Sequence, residues 1–137
     1  MKKTLTLKKA ERLKSRKSIE QLFNAGKNFF IYPFKVQYTI AAQTASAEFS
    51  IQAGVTVSTR NFKKAVDRNR IKRLTREAYR LQKNTLQLKL TQQGKSMRVF
   101  FVFVGKEIPL FAVMHEKLHL ILERLIQKAD EENTANT

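Results

Sequence analysis

The chain has no cysteine and no tryptophan, and its 137 residues include only four glycines, two prolines and two histidines. Without cysteine there is neither a disulfide framework nor a thiolate metal site. Four scattered glycines make no phosphate-cradling loop. Acidic residues are scarce, 11 Asp and Glu against 27 Lys and Arg, and they form no compact carboxylate cluster for catalytic metal ions. No stretch approaches the roughly 18 apolar residues that span a bilayer. The opening Met1-Lys2-Lys3-Thr4-Leu5 lacks the apolar core and small-residue cleavage site of a secretory signal. The expectation is therefore a cytoplasmic protein with no membrane partner.

What is present is a core-forming chain with a concentrated positive charge. Hydrophobic residues are 42% of the total, enough for one domain with one core. The formal net charge is +16. Residues 1–17 carry eight basic residues and one acidic, residues 58–83 carry ten and two, and residues 105–137 carry four and six. Two basic blocks beside an ordinary C-terminal part favour a nucleic-acid face over general supercharging. An anionic membrane surface is the competing partner. It would require an apolar helical face left free for lipid, which a packed domain does not leave.

Residues 1–12 read as a basic arm, 13–129 as a single domain and 130–137 as a flexible tail. Ser15 or Ser18 suits the cap of a short helix with Ile19, Leu22 and Phe23 on one face and Gly26 at its end. From Phe34 the alternation is strict: Phe34, Val36, Tyr38 and Ile40 against Lys35, Gln37 and Thr39, a half-buried strand. Pro33 breaks it from Phe29–Tyr32, which reads as a separate short strand. Residues 42–47 read as a loop and 48–58 as a second long strand. Asn61 suits the cap of a basic helix running to about Lys83. A polar connector with Gly94 follows, then Arg98–Val104, continuously apolar from Val99, a buried strand stopped by Gly105. A last helix runs from about Pro109 to Lys128, with Leu110, Met114, Leu118, Ile121, Leu122 and Leu125 as its core stripe. The order is α-β-(β)-β-α-β-α, an α+β sandwich with helices packed on one face of the sheet.

The basic helix carries the chemistry. In Arg68-Asn69-Arg70-Ile71-Lys72-Arg73-Leu74-Thr75-Arg76-Glu77, six side chains are charged and five of those are basic. At 100° per residue, Ile71, Leu74, Ala78 and Leu81 fall within about 80°, and Arg68, Asn69, Lys72, Arg73, Arg76 and Arg80 spread over about 140° on the other side. Arginine grips phosphate with two parallel hydrogen bonds and stacks on bases. Asn69 suits a base edge, a 2′-hydroxyl or a neighbouring Arg. A solvated amphipathic helix is the plainer reading, but such helices mix signs, and only Asp67 and Glu77 neutralise this one locally. Phe34, Val36 and Tyr38 suit either a stacking platform for unpaired bases or plain core, and alternation favours core. His115-Glu116-Lys117-Leu118-His119 matches a zinc-protease pattern letter for letter. It borders the apolar stripe of the last helix and has no third histidine, so it reads as coincidence and no metal site is assigned.

The run Arg68-Asn69-Arg70-x-Lys72-Arg73-x-x-Arg76-Glu77, preceded by Gly54-Val55-Thr56-Val57-Ser58 and Lys63-Lys64-Ala65, resembles the protein subunit of bacterial ribonuclease P. The order of elements also fits, from about Leu7 to Gln127. The resemblance implies a ribosomal-protein-S5-domain-2-like fold with a left-handed βαβ crossover. It implies a ribonucleoprotein endonuclease that removes 5′ leaders from precursor tRNA, with the chemistry and its Mg2+ in the RNA subunit and no cofactor on the protein alone. It implies two RNA partners, the catalytic RNA and precursor tRNA, and a monomer in the free state. By position, Arg68, Asn69, Arg70, Lys72, Arg73 and Arg76 fall to RNA binding, and Arg80 on the same face and Arg60, Lys63 and Lys64 ahead of the helix are expected to join them. Phe23, Ile19, Val36, Tyr38 and Thr56 fall to a cleft for the single-stranded leader. Ile19 stands where the family often has a second aromatic. Thr59-Arg60 stands in place of paired lysines, with Lys63 and Lys64 close behind. A structural RNA-binding protein of ribosomal or RNA-chaperone type is the alternative.

Overall fold

The computed structural model describes residues 12–13, 15–42 and 50–135. Residues 1–11 of the arm expected over 1–12, and residues 43–47 of the loop expected over 42–47, lie outside them. The elements are α1 (Arg16–Ala25), β1 (Lys27–Ile31), β2 (Phe34–Ala42), β3 (Ile51–Val57), α2 (Ala65–Gln92), β4 (Lys95–Phe103) and α3 (Phe111–Ala135). The strands form one sheet in the order β1-β2-β4-β3. β1 and β2 pair antiparallel, as do β2 and β4, whereas β3 and β4 are parallel.

Alternation decides what each face of the sheet meets. Phe34, Val36 and Tyr38 of β2, Val99, Phe101 and Phe103 of β4, and Ile51 and Val57 of β3 join Ile71, Ala78, Tyr79, Leu86, Leu118 and Leu122 in the main core. This face is covered by α2 and α3. The opposite residues of β4, Phe100 and Val102, meet Leu13, Ile19 and Leu22 in a smaller cluster. Helix α1 therefore lies on the other face, and the expectation of helices on one face only is corrected. The run 99–104 is apolar without alternation because both its faces are covered.

The hand of the β3–α2–β4 crossover follows from backbone chirality. With α2 toward the viewer and β3 running upward, an L-residue whose side chain faces the viewer directs its carbonyl to the right. Ala53 faces the core, and its carbonyl accepts the Leu13 N–H at 2.9 Å on the edge away from β4. β4 therefore stands to the left of β3, and the crossover is left-handed, against the usual rule.

Several boundaries differ from expectation. Ser15 caps α1, accepting from the Ser18 N–H at 3.3 Å. Asn61 does not cap α2, whose N-cap is Lys64 without a side-chain bond. Its amide instead donates to the carbonyls of Val104 and Gly105 at 3.3 and 3.4 Å, tying the loop after β3 to the end of β4. Helix α2 continues past Lys83 because Leu86 and Leu90 prolong its buried seam. It ends at Gln92 with Gln93 as its C-cap, and Gly94 takes a positive φ of 65°. Leu81 is 39% exposed, and Thr75 is buried in the seam with its hydroxyl donating to the Ile71 carbonyl at 2.8 Å. Helix α3 begins after Leu110, which is 77% exposed and not part of the stripe. It persists to Ala135, so most of the stretch expected as a tail is helical. Lys95 Nζ donates to the Ala129 carbonyl at 2.9 Å and Gln93 Nε2 to Asp130 Oδ1 at 2.7 Å, which pins that turn. Among the described residues no helix is long and apolar enough to cross a membrane.

The two ends of the α3 stripe separate in a stability measurement. Leu118→Ala, at a fully buried position, is expected to lower unfolding free energy by about 2–5 kcal/mol, and Leu110→Ala by less than about 0.5 kcal/mol. Urea melts of the two variants check this.

Candidate nucleic-acid interface

The inner side of α2 is fixed by Ile71, Thr75, Ala78 and Tyr79. That placement turns Asn69, Arg70, Arg73 and Arg76 outward, all exposed, with Lys72 half-buried beside them. Arg60, Lys63 and Lys64 are exposed in and after the loop that leads into the helix. Two cations of the motif are engaged within the protein. Arg68 donates from Nη1 to the carbonyls of Phe62 and Lys63, both at 2.8 Å, so its guanidinium ties down the loop ahead of the helix. Arg80 pairs with Glu77, its Nε donating to Oε2 at 3.1 Å. That bond holds the Glu77 carboxyl below the usual carboxylate range, against the opposing effect of desolvation, and raises the pKa of Arg80. A carboxyl shifted this way adds stability that is full above its ordinary pKa and is lost as pH falls through the lowered one.

The second surface is the sheet face under α1. Ladder registers set Gln37, Phe100 and Gly54 in one row, and Lys35, Val102 and Thr56 in the next. Helix α1 lies on the first row. Phe23, 42% exposed, stands edge-on to Phe100 with ring centroids 5.6 Å apart. Gly54 makes this packing possible, since a Cβ there would meet the Phe100 ring at 2.7 Å and the Leu13 carbonyl at 2.9 Å. Gln37 is buried, and its Oε1 has no hydrogen-bond partner among the described residues. A cavity of about 290 Å³ opens where this face meets α2. Arg12, Leu13, Ile19, Gly54, Phe100 and Arg76 are among its lining residues.

Of the residues expected to act together, Ile19 and Arg76 share the cavity. Phe23 adjoins it through Phe100, and Thr56 lies one row along the same face. Val36 and Tyr38 do not belong there. They are 0% and 3% exposed in the main core beneath α3 and α2. The alternation of β2 puts Lys35 and Gln37, not Val36 and Tyr38, on the α1 side. Arg12, Leu13, Phe100 and Lys35 were missed. The unbroken apolar run 99–104 is the available signal for Phe100, since a strand apolar on both faces needs a cover on each. Arg12 and Leu13 had none, because they join β3 as an isolated bridge rather than a patterned strand. On α3, His119 pairs with Glu123 at 2.5 Å, and the His115 carbonyl accepts from Gln82. Among the described residues no group of three or more His, Asp or Glu could hold a metal ion.

A small α+β domain with a cationic helix beside an open, partly aromatic sheet face defines an RNA-binding class of protein. A sequence model of the family described as Ribonuclease P matches residues 7–129. The Ribonuclease P protein component of Porphyromonas gingivalis is 37% identical over 122 residues, covering 89% of this chain and 88% of the relative. That of Syntrophus aciditrophicus is 44% identical over 82 residues, covering 60% and 64%. The solved RNase P protein from Thermotoga maritima superposes with a TM-score of 0.64 at 25% identity, covering 83% of this chain and 96% of that one. The Staphylococcus aureus protein, at 19% identity and a TM-score of 0.66 over 85% and 96%, shares the fold. The chain belongs to the ribonuclease P protein family.

Arg68 and Arg70 are neighbours in the motif with different duties. Arg68→Ala removes two charge-assisted hydrogen bonds and is expected to destabilise the fold by about 1–3 kcal/mol. Arg70→Ala is expected to change stability by less than about 0.5 kcal/mol. Thermal and urea melts of the free protein distinguish the two.

Proposed function

We infer that this chain is the protein subunit of ribonuclease P, acting with a catalytic RNA to remove 5′ leaders from precursor tRNA. The observation that carries this reading is the family match across 7–129, on a fold that sets the exposed cations of α2 beside an open sheet face. Asn69, Arg70, Lys72 and Arg73, with Arg60, Lys63 and Lys64, hold the folded RNA subunit through its phosphates. The single-stranded leader lies against Phe23, Ile19, Phe100 and Thr56, and Arg76 and Arg12 meet its phosphates at the α2 end. Stacking on the exposed Phe23 ring, which the buried Phe100 ring supports, and cation contact suit an unpaired strand of any sequence.

The protein positions and neutralises, and the bond-breaking step belongs to the RNA. In this reading Mg2+ belongs to the RNA subunit, where it would supply the activated water and the charge stabilisation. Before assembly the protein is a monomer, since its like-charged surface opposes self-association. Its compartment in this reading is the cytoplasm, where bacterial transcripts arise.

Reconstitution tests the reading. Added to its RNA subunit and a precursor tRNA at low Mg2+, the protein is expected to restore 5′ cleavage. No stimulation would favour a structural RNA-binding protein. Arg70→Ala with Arg73→Ala is expected to weaken binding to the RNA subunit and to reduce the slope of log K against log salt by about 1–2. An unchanged slope and affinity would remove α2 from the contact. Phe23→Ala is expected to weaken precursor tRNA binding by about tenfold while leaving mature tRNA unchanged. Equal losses for both would remove the leader cleft.

A further inference from the structure

The end of β1 and the turn after it carry an aromatic pair, Phe30 and Tyr32, that serves neither the core nor the cleft. Phe30 is 58% exposed and Tyr32 59%. Their ring centroids lie 6.3 Å apart, with planes tilted by 57°. Phe29 and Ile31 pack against the main core, so alternation sends Phe30 to the opposite face, the one that bears α1. There it stands across from Lys35, which pairs with Val102, which pairs with Thr56. One row thus crosses all four strands, from the proposed leader cleft at Thr56 to the exposed rings at the β1 edge. Three strand spacings make it about 14 Å long. Helix α1 lies over the neighbouring row, and Phe30 and Lys35 are open to solvent.

An isolated exposed phenylalanine needs no explanation. Two rings side by side, next to an exposed ammonium group and in line with a cationic cleft, point to a ligand with flat faces and phosphates. An apolar protein partner would have to desolvate Lys35 to cover the same rings, whereas a nucleotide uses both the rings and the charge.

We propose that Phe30, Tyr32 and Lys35 form a second station for unpaired RNA, where the two rings stack leader bases beyond those held at Phe23 and Thr56 and Lys35 meets the connecting phosphate. This rests on the leader-cleft reading and extends it. Affinity for substrate then increases with leader length until the strand reaches β1, and levels off there.

The test uses the holoenzyme reconstituted from the full chain and its RNA subunit. Precursor tRNAs carry either a short leader, ending within the cleft, or a long one reaching the sheet edge. Phe30→Ala with Tyr32→Ala is expected to weaken binding of the long-leader substrate by about tenfold, the scale of one stacked base. Binding of the short-leader substrate and of the RNA subunit stays unchanged. Phe30→Leu, which keeps apolar bulk without a ring, behaves like the alanine variant, and Phe30→Trp retains affinity. Unchanged long-leader affinity in the double variant overturns the proposal. So does an equal loss on both substrates, or a loss confined to assembly with the RNA subunit, which would mark a different contact. If the unaltered holoenzyme binds precursor and mature tRNA alike, the cleft reading falls and the second station falls with it. If it discriminates them but ignores leader length beyond the cleft, only the second station falls.

Discussion

Tyr79 of α2 rests against Phe101 of β4 with ring centroids 5.7 Å apart, and Phe101 stands edge-on to Phe34 of β2 at 6.2 Å. This chain of rings joins the basic helix to the middle of the sheet, and the rest of the molecule is arranged around it. All three rings are at most 2% exposed, each burying an area worth several kcal/mol. Such a contact lets a helix keep a large positive charge on its outer side without coming away from the fold. Ile71, Ala78, Leu86 and Leu90 prolong the seam in both directions, so the orientation of every cation on α2 is decided by apolar packing and not by the cations themselves.

Those cations repel one another, and the fold relieves only part of the strain. Glu77 is committed to Arg80. Asp67 sits in the first turn, where the helix dipole favours a negative charge. Arg68 directs its guanidinium to two carbonyls, which disperses its charge without neutralising it. Asn69, Arg70, Arg73 and Arg76 are left in solvent. A bound polyanion removes the residual repulsion, so RNA binding and folding are linked: whatever the cations cost the free protein is returned when phosphates approach.

The periods of the sequence were legible wherever one face of an element met solvent. The alternation of β2, the Met114–Leu125 stripe of α3 and the Ser15 cap all match the structure because each follows from local chemistry. The misreadings share a cause as well. Leu81 and Leu110 read as inward for being leucine, and Thr75, a polar residue, is left out of the seam that it in fact joins. A hydroxyl bonded to the carbonyl four residues back is content inside a helix seam, and leucine on a surface is common. Asn61 has the chemistry of a helix cap, but two carbonyls at the end of β4 compete for its amide, and nothing local reveals that competition. Val36 and Tyr38 are the instructive pair. Periodicity favoured the core, resemblance moved them to the cleft, and the sheet follows periodicity. A one-residue change of parity exchanges every side chain between faces, so a correspondence carried from one sequence to another tolerates no slip within a strand.

The hand of the crossover explains why the cleft and the basic helix adjoin at all. The inward side of α2 has two flanks. One carries Arg76 and borders the cavity at the outer edge of β3. The other approaches α3, where Thr75 meets Met114 and Gln82 reaches the His115 carbonyl, and its outer margin carries Leu74 and Leu81. Had β4 stood to the right of β3, as in ordinary βαβ units, the same helix with the same residues inward would turn the leucine flank toward that edge. The arginine flank would then face α3 and be buried or expelled. The left-handed turn is locally disfavoured, yet it is the arrangement that brings Arg76 to Arg12, Leu13 and Gly54 and makes one continuous surface from the cationic helix to the open sheet. The conflict between the local preference for a right-handed crossover and the observed fold therefore lies where the proposed leader cleft meets the basic helix, as expected when a rule of folding is broken for the sake of a site.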